Sequence, residues 1–316
     1  MSEQANVDCA AGFGVRLIGC ADDAALPIGM HDYAESLGCC MLVDKTMFIA
    51  DVLDCDASVV VCCRPEGFGK SMNLSMLKAF LERPAVGRSG QRLFADAQIW
   101  DANSGRYRDE YACYPVISLD FSGAARCGAA VAGVVHNALS GECVRLLPLL
   151  EAPDLARDKV RHIERVARGA ASEDEVASVL GVLIELLEIA CDEQVVLLVD
   201  GYDAAWLGRA SARGASGADP AGLFDRVLFD AIVAARDSLR LTCLMGECPG
   251  PAEAALSLHG CSYCLTTPLS TWCDRCFGFS DAEVQTLLNH AGCGEYLDDA
   301  REWLEGYRFG RAYCSS

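Results

Sequence analysis

The chain is 316 residues long, 52% hydrophobic and 22% charged, with a net charge of −19 and an isoelectric point near 4.6. That composition excludes a disordered chain, and the length suits one large α/β domain with a small appendage. The acidic balance argues against direct nucleic-acid binding, where affinity comes from Lys and Arg, but leaves room for a nucleotide in a local electropositive pocket.

Met1 to Cys20 lack a basic segment followed by an apolar core, so no secretory signal is expected. No uncharged apolar run approaches the roughly 20 residues that span a bilayer, and the expected compartment is the cytoplasm. The cysteine count is high and odd, at nineteen. Several cysteines sit inside apparent strands (Cys62, Cys63, Cys243), which reads as buried thiols in a reducing compartment.

Residues 1–25 are weakly patterned and expected to be poorly ordered. Leu26 to Ser36 reads as a turn into a short helix. Leu42 to Thr46 leads to an amphipathic run, Met47 to Leu53, and a strand is expected over 58–63. There the chain reads Cys63-Arg64-Pro65-Glu66-Gly67-Phe68-Gly69-Lys70-Ser71, an apolar strand feeding a Gly-containing turn and then a helix, the context a P-loop demands. Backbone N–H groups at a helix N-terminus hold phosphate oxygens. Gly67 and Gly69 permit backbone angles that a Cβ opposes. Lys70 can reach the terminal phosphates, and Ser71 can ligate Mg²⁺. The full pattern has Gly five residues before Gly69, where this chain has Arg64.

The helix after the loop carries Leu74, Leu77 and Leu81 with Met72, Met76 and Phe80 at helical spacing, and Pro84 ends it. Tyr114 to Phe121 reads as a strand. Residues 129–170 look helical with a break near Pro148 and Pro153. Ser172 to Glu175 has the form of a capping box opening a helix to Ile189. Val195 to Val199 followed by Asp200 is what a buried parallel strand ending at Mg²⁺ should look like. Helix 221–236 and a strand at 240–246 follow. Strands alternating with helices give an α/β fold, a doubly wound, mostly parallel sheet, whose ligands sit at the carboxyl ends of the strands. Residues 246–272 read as loop-rich. The remainder, 276–316, reads as a small helical lid on a body spanning 26–275.

Cys261, Cys264, Cys273 and Cys276 form two Cys-x-x-Cys pairs. Four thiolates so arranged can hold structural zinc, but the gap is shorter than the usual ~15–20 residues, which weighs against zinc there. Neither pair has the strand-to-helix context of a redox motif. The histidines are dispersed. Arg126, Arg275 and Arg308 are candidate trans or lid arginines for phosphate.

The ordered set of motifs resembles the predicted AAA-ATPase-like proteins of bacteria. It comprises Pro27-Ile28-Gly29, Val43-Asp44-Lys45-Thr46, Arg64-Pro65 with Phe68-Gly69-Lys70-Ser71, Leu77-Lys78-Ala79-Phe80, Tyr114-Pro115-Val116-Ile117 and Leu119-Asp120-Phe121-Ser122-Gly123. Asp200 with Tyr202-Asp203, Gly278-Phe279 and Gly306-Tyr307-Arg308-Phe309-Gly310 complete it. That family tolerates Arg at the first loop position. Its members often carry a following nuclease-like domain, expected to be absent here. The resemblance implies a P-loop NTPase that binds ATP with Mg²⁺. The family usually has two basic residues at Glu66 and Gly67, and a glutamate at Gly201 that orients or deprotonates the attacking water; lacking a positioned base costs about 10²–10⁴-fold. The stretch after Met245-Gly246 also departs from the family, which often has a Thr-Gly and a polar sensor there. Weak hydrolysis is therefore expected, with Asp203 as substitute catalytic group. The alternative is a catalytically dead, nucleotide-gated protein-interaction module. A protein partner or self-association is expected in either case.

Overall fold

A computed structural model describes residues 15–19, 26–84, 93–124, 131–211, 220–304, 307–309 and 312–314. Its centre is a sheet of five parallel strands: β3 (Val59–Cys63), β4 (Val116–Asp120), β5 (Val195–Asp200), β6 (Leu239–Gly246) and β7 (Tyr263–Thr266), in the order β4-β5-β6-β3-β7. Every residue of β3 and β5 is buried, as continuous apolar runs in a two-sided parallel sheet require.

The pleat sends alternate side chains to opposite layers. Val59, Val61 and Cys63 join a core with α5 (Val131–Leu146), α6 (Arg157–Ala167), α7 (Glu173–Cys191), α8 (Ala204–Ser211), α9 (Pro220–Ala234) and α10 (Gly250–Leu258). Val60 and Cys62 join the other, with α1 (Tyr33–Cys39), α2 (Met47–Leu53), α3 (Lys70–Leu81), α4 (Gln98–Asp101) and an aromatic cluster around Phe80, Phe94 and Tyr111. Helices on both faces make the sheet doubly wound, as the alternation of strands and helices implies. Cys63 pairs with Gly246, and Asp120 with Asp200. All the strands point the same way, so these carboxyl ends line one edge of the sheet.

Three stretches differ from the sequence expectation. Leu17–Gly19 (β1) pairs antiparallel with Met41–Val43 (β2), inside a segment with no hydrophobic period of its own. The stretch 246–272 holds α10 and β7 rather than loop alone. Pro249 and Pro251 stand at the start of α10, where proline's missing N–H costs nothing, and β7 pairs with β3 over only four residues. The C-terminal part has the expected helices, α11 (Asp281–His290) and α12 (Leu297–Leu304), but ends in a two-stranded antiparallel pair, β8 (Tyr307–Phe309) and β9 (Ala312–Cys314). Aromatic residues, which favour strands, flank Gly310 there. No helix among the described residues is long and apolar enough to cross a membrane.

Candidate nucleotide-binding site

At the end of β3 the chain turns through Arg64–Gly69 and enters α3. Gly67 and Gly69 both adopt positive φ, +86° and +79°, with nothing near where a Cβ would stand. The demand for glycine is thus conformational rather than steric. Gly69 is the N-cap of α3 and no side chain caps the helix, so the first-turn N–H groups stay directed at the turn, as an anion nest requires. Gly67 and Glu66 are exposed, whereas Phe68 is buried and its carbonyl accepts from Gly278 N at 3.2 Å.

The Lys70 ammonium folds back over this turn. Nζ donates to the carbonyls of Arg64 at 2.9 Å and Pro65 at 2.8 Å, and stands 3.9 Å from Glu247 Oε1. Burial lowers its pKa, opposed by Glu247, Asp200, Asp203 and Glu66. The next residue, Ser71, donates its hydroxyl to Asp200 Oδ2. Ser71 and the acid at the end of β5, 129 positions apart, therefore meet at the same edge of the sheet. Burial raises the Asp200 pKa, with the Ser71 hydrogen bond pulling it down and Asp120 pushing it up. A cation with oxygen ligands would relieve that pair of acids. Asp120 has the same signal in the sequence as Asp200, an acid closing an apolar strand, yet was not among the expected ligands.

Arg64 occupies the loop but does not face it. The side chain is 1% exposed; Nη1 donates to Cys63 O at 2.9 Å, Nη2 to Thr266 Oγ1 at 3.0 Å, and the guanidinium lies 4.8 Å from the Phe277 ring centroid. It braces β3 against β7 and the segment before α11.

The family model for predicted AAA-ATPases, named AAA-ATPase-like, matches residues 27–249. The chain belongs to the predicted AAA-ATPase family. No curated protein and no solved structure matches it significantly. The family match ends at Pro249, just before α10, so four strands of the central sheet (β3, β4, β5 and β6) are covered, and α10, β7 and the C-terminal helices are not.

Two positions of the second motif have a specific geometry. Asp203, expected to polarise water, is 1% exposed. Its Oδ2 accepts from the backbone N–H of Glu247 at 2.8 Å and Cys248 at 2.6 Å, so the carboxylate anchors the turn after β6. Gly201, where the resemblance implies a glutamate in most relatives, has φ +68°, and a Cβ there would stand 2.6 Å from Ser122 N and 2.9 Å from Phe121 C. The backbone of the β4 turn occupies the room a side chain needs. Glu247, missed by the sequence reading, is the half-exposed acid beside Lys70; only the polar first position after β6 hinted at it.

The remaining candidates separate. Cys273 and Cys276 converge with Asp51, and that trio is the metal-capable cluster found among the described residues. Cys264 lies instead beside Cys55, and Cys261 packs against the opposite core; the four cysteines are not one site. Arg275 is exposed, its carbonyl accepting from Lys45 Nζ at 2.7 Å. Arg126 and the Arg308 side chain lie outside the described residues.

Proposed function

We propose that this chain binds a nucleoside triphosphate, ATP by family, together with Mg²⁺ on the turn 64–71, and hydrolyses it slowly or not at all. The observation that supports this reading is the Ser71–Asp200 contact, which brings a hydroxyl and a carboxylate together at the head of an uncapped helix. Mg²⁺ would be held by Ser71 Oγ and, directly or through water, by Asp200, with Asp120 at the outer rim. Lys70 would leave the Arg64 and Pro65 carbonyls for the β and γ phosphates. Asp203 serves the site by holding the 247–248 backbone rather than as a base. Low turnover fits both the missing glutamate and the crowding at Gly201. The second reading, a nucleotide-gated interaction module, is favoured by that same crowding, which closes the position a catalytic glutamate would need.

Calorimetry with Mg²⁺·ATP, paired with a phosphate-release assay, tests the reading. Wild-type protein should bind, and Lys70→Ala should weaken binding roughly 10- to 100-fold, the worth of a charge-assisted contact. Asp200→Asn should abolish the Mg²⁺ dependence of binding. Absence of Mg²⁺-dependent binding by the wild type, or an undiminished Lys70→Ala, would defeat the proposal. Lys70-dependent phosphate release would separate the slow enzyme from the silent module.

A further inference from the structure

Beside the nucleotide site lies a cluster that the proposed function does not use. Both thiols of Cys273 and Cys276 point at one atom, Asp51 Oδ2, each at 3.4 Å. The ligand atoms of the three residues all lie within 4.8 Å of one another. The cysteines are 5% and 8% exposed. A thiol is a weak donor, and two thiols converging on one carboxylate oxygen satisfy a sheltered carboxylate poorly.

We propose that Asp51, Cys273 and Cys276 form a binding site for a soft-to-borderline divalent cation, with zinc the best fit. Around tetrahedral zinc, thiolate at about 2.3 Å and carboxylate at about 2.0 Å stand roughly 3.5 Å apart, close to the spacing found. Two thiolates and a carboxylate carry three negative charges, of which a divalent cation would offset two; Arg64 and Lys45 add positive charge nearby, and Asp54 and Asp274 add negative charge. Arg64 is near enough to both sulfurs to interact with them electrostatically. Hard cations such as Mg²⁺ and Ca²⁺ prefer all-oxygen ligands and are poorly served by sulfur. Three protein ligands leave one tetrahedral position for water.

The site would act as a staple. Asp51 belongs to α2, whereas Cys273 and Cys276 open the segment that leads to α11. That segment already touches the phosphate loop: Asn73 Nδ2 donates to Cys276 O at 2.8 Å, and Gly278 N to Phe68 O. A cation here would fix the C-terminal helices against the back of the nucleotide loop. The site stands independently of the nucleotide reading, because its occupancy is read without nucleotide.

The test is metal analysis of the full-length protein, purified without chelator, followed by Co²⁺ titration of the stripped protein. Wild type and the control Cys264→Ser should each carry about one zinc per chain and give a thiolate-to-cobalt absorption band. Cys273→Ser with Cys276→Ser should lose the metal and the band, and Asp51→Asn should weaken affinity tenfold or more. Because the paired serine variant can misfold, the wild-type cobalt spectrum decides alone: no thiolate band at stoichiometric Co²⁺ overturns the proposal. A band retained by a folded double-serine variant, or lost in Cys264→Ser, overturns it as well.

Discussion

Lys70 in this structure rests on the carbonyls of its own loop, and Glu247 stands beside it as a second attraction. A γ-phosphate entering the turn must displace or outbid that carboxylate. Glu247→Gln should therefore tighten ATP binding, by at most about fivefold, since the Glu247 carboxylate is about half exposed and such ion pairs contribute about 0.2–1 kcal/mol. Calorimetry checks this, and weaker binding by the variant would show that Glu247 contacts the nucleotide or its water instead.

The pH dependence follows from the same two residues. Burial raises Asp200 above the usual carboxylate range and lowers Lys70 below the usual lysine range. In the proposed site Mg²⁺ would need the Asp200 carboxylate, so Mg²⁺-dependent affinity should fall on acidification at a pH above the ordinary value of about 4. Because the folded-state pKa of Asp200 is raised, the stability it lends is present at low pH and is lost as pH rises through that value. Mg²⁺ should restore it, so the Mg²⁺-induced rise in Tm should grow with pH on the acid side. Affinity should fall again where Lys70 loses its proton, at a pH below about 10.4. A flat Mg²⁺ response between acid and neutral pH would remove Asp200 from the metal site.

Among the elements, the turn after β5 is tightly constrained. Gly201 combines a positive φ with backbone atoms at 2.6–2.9 Å from any added Cβ. Gly201→Ala should destabilise the fold by about 1–3 kcal/mol, through strain at a left-handed backbone and overpacking, seen as a lower denaturant midpoint. For the same reason Gly201→Glu should not revive hydrolysis: the carboxylate cannot be placed without moving the β4 turn. An active Gly201→Glu variant of unchanged stability would show that the turn yields. The capping box at the head of α7 shows the opposite relation of sequence to structure. Ser172 and Glu175 exchange backbone contacts as their spacing dictates, because a cap is decided by residues within one turn of each other.

At the scale of the whole molecule, the segment leading to α11 is tied to the body at two places, to Phe68 and Asn73 at the turn 64–71 and α3, and to Lys45. Lys45, just before α2, donates to Glu283 Oε1 and Arg275 O and lies 5.9 Å from the Phe279 ring centroid. Lys45 and Glu283 side chains are each 15% exposed, so the pair is more sheltered than a surface bridge. Lys45→Ala should loosen α11 without unfolding the sheet. Hydrogen exchange should rise across 276–290 and stay unchanged in β3 and β5; uniform protection would mean that the other contacts suffice.

Read by itself, the sequence determined what depends on near neighbours. Apolar runs marked β3, β4 and β5, the last two closing on acids, helical spacing marked α3 and α7, and Gly67 and Gly69 marked a turn of positive φ ahead of α3, because strand burial, helix periodicity and positive φ are set within a few residues. Only the tertiary structure decided which distant groups meet. Arg64 turns into the core because β7, an edge strand too short to announce itself, offers Thr266. Asp203 is taken by two amides of the 247–248 backbone, and Gly201 lies against a turn about eighty positions earlier in the chain. Cys273 and Cys276 find Asp51 rather than the nearer cysteine pair, because the fold of the sheet and its covering helices, not spacing along the chain, sets which side chains share a volume.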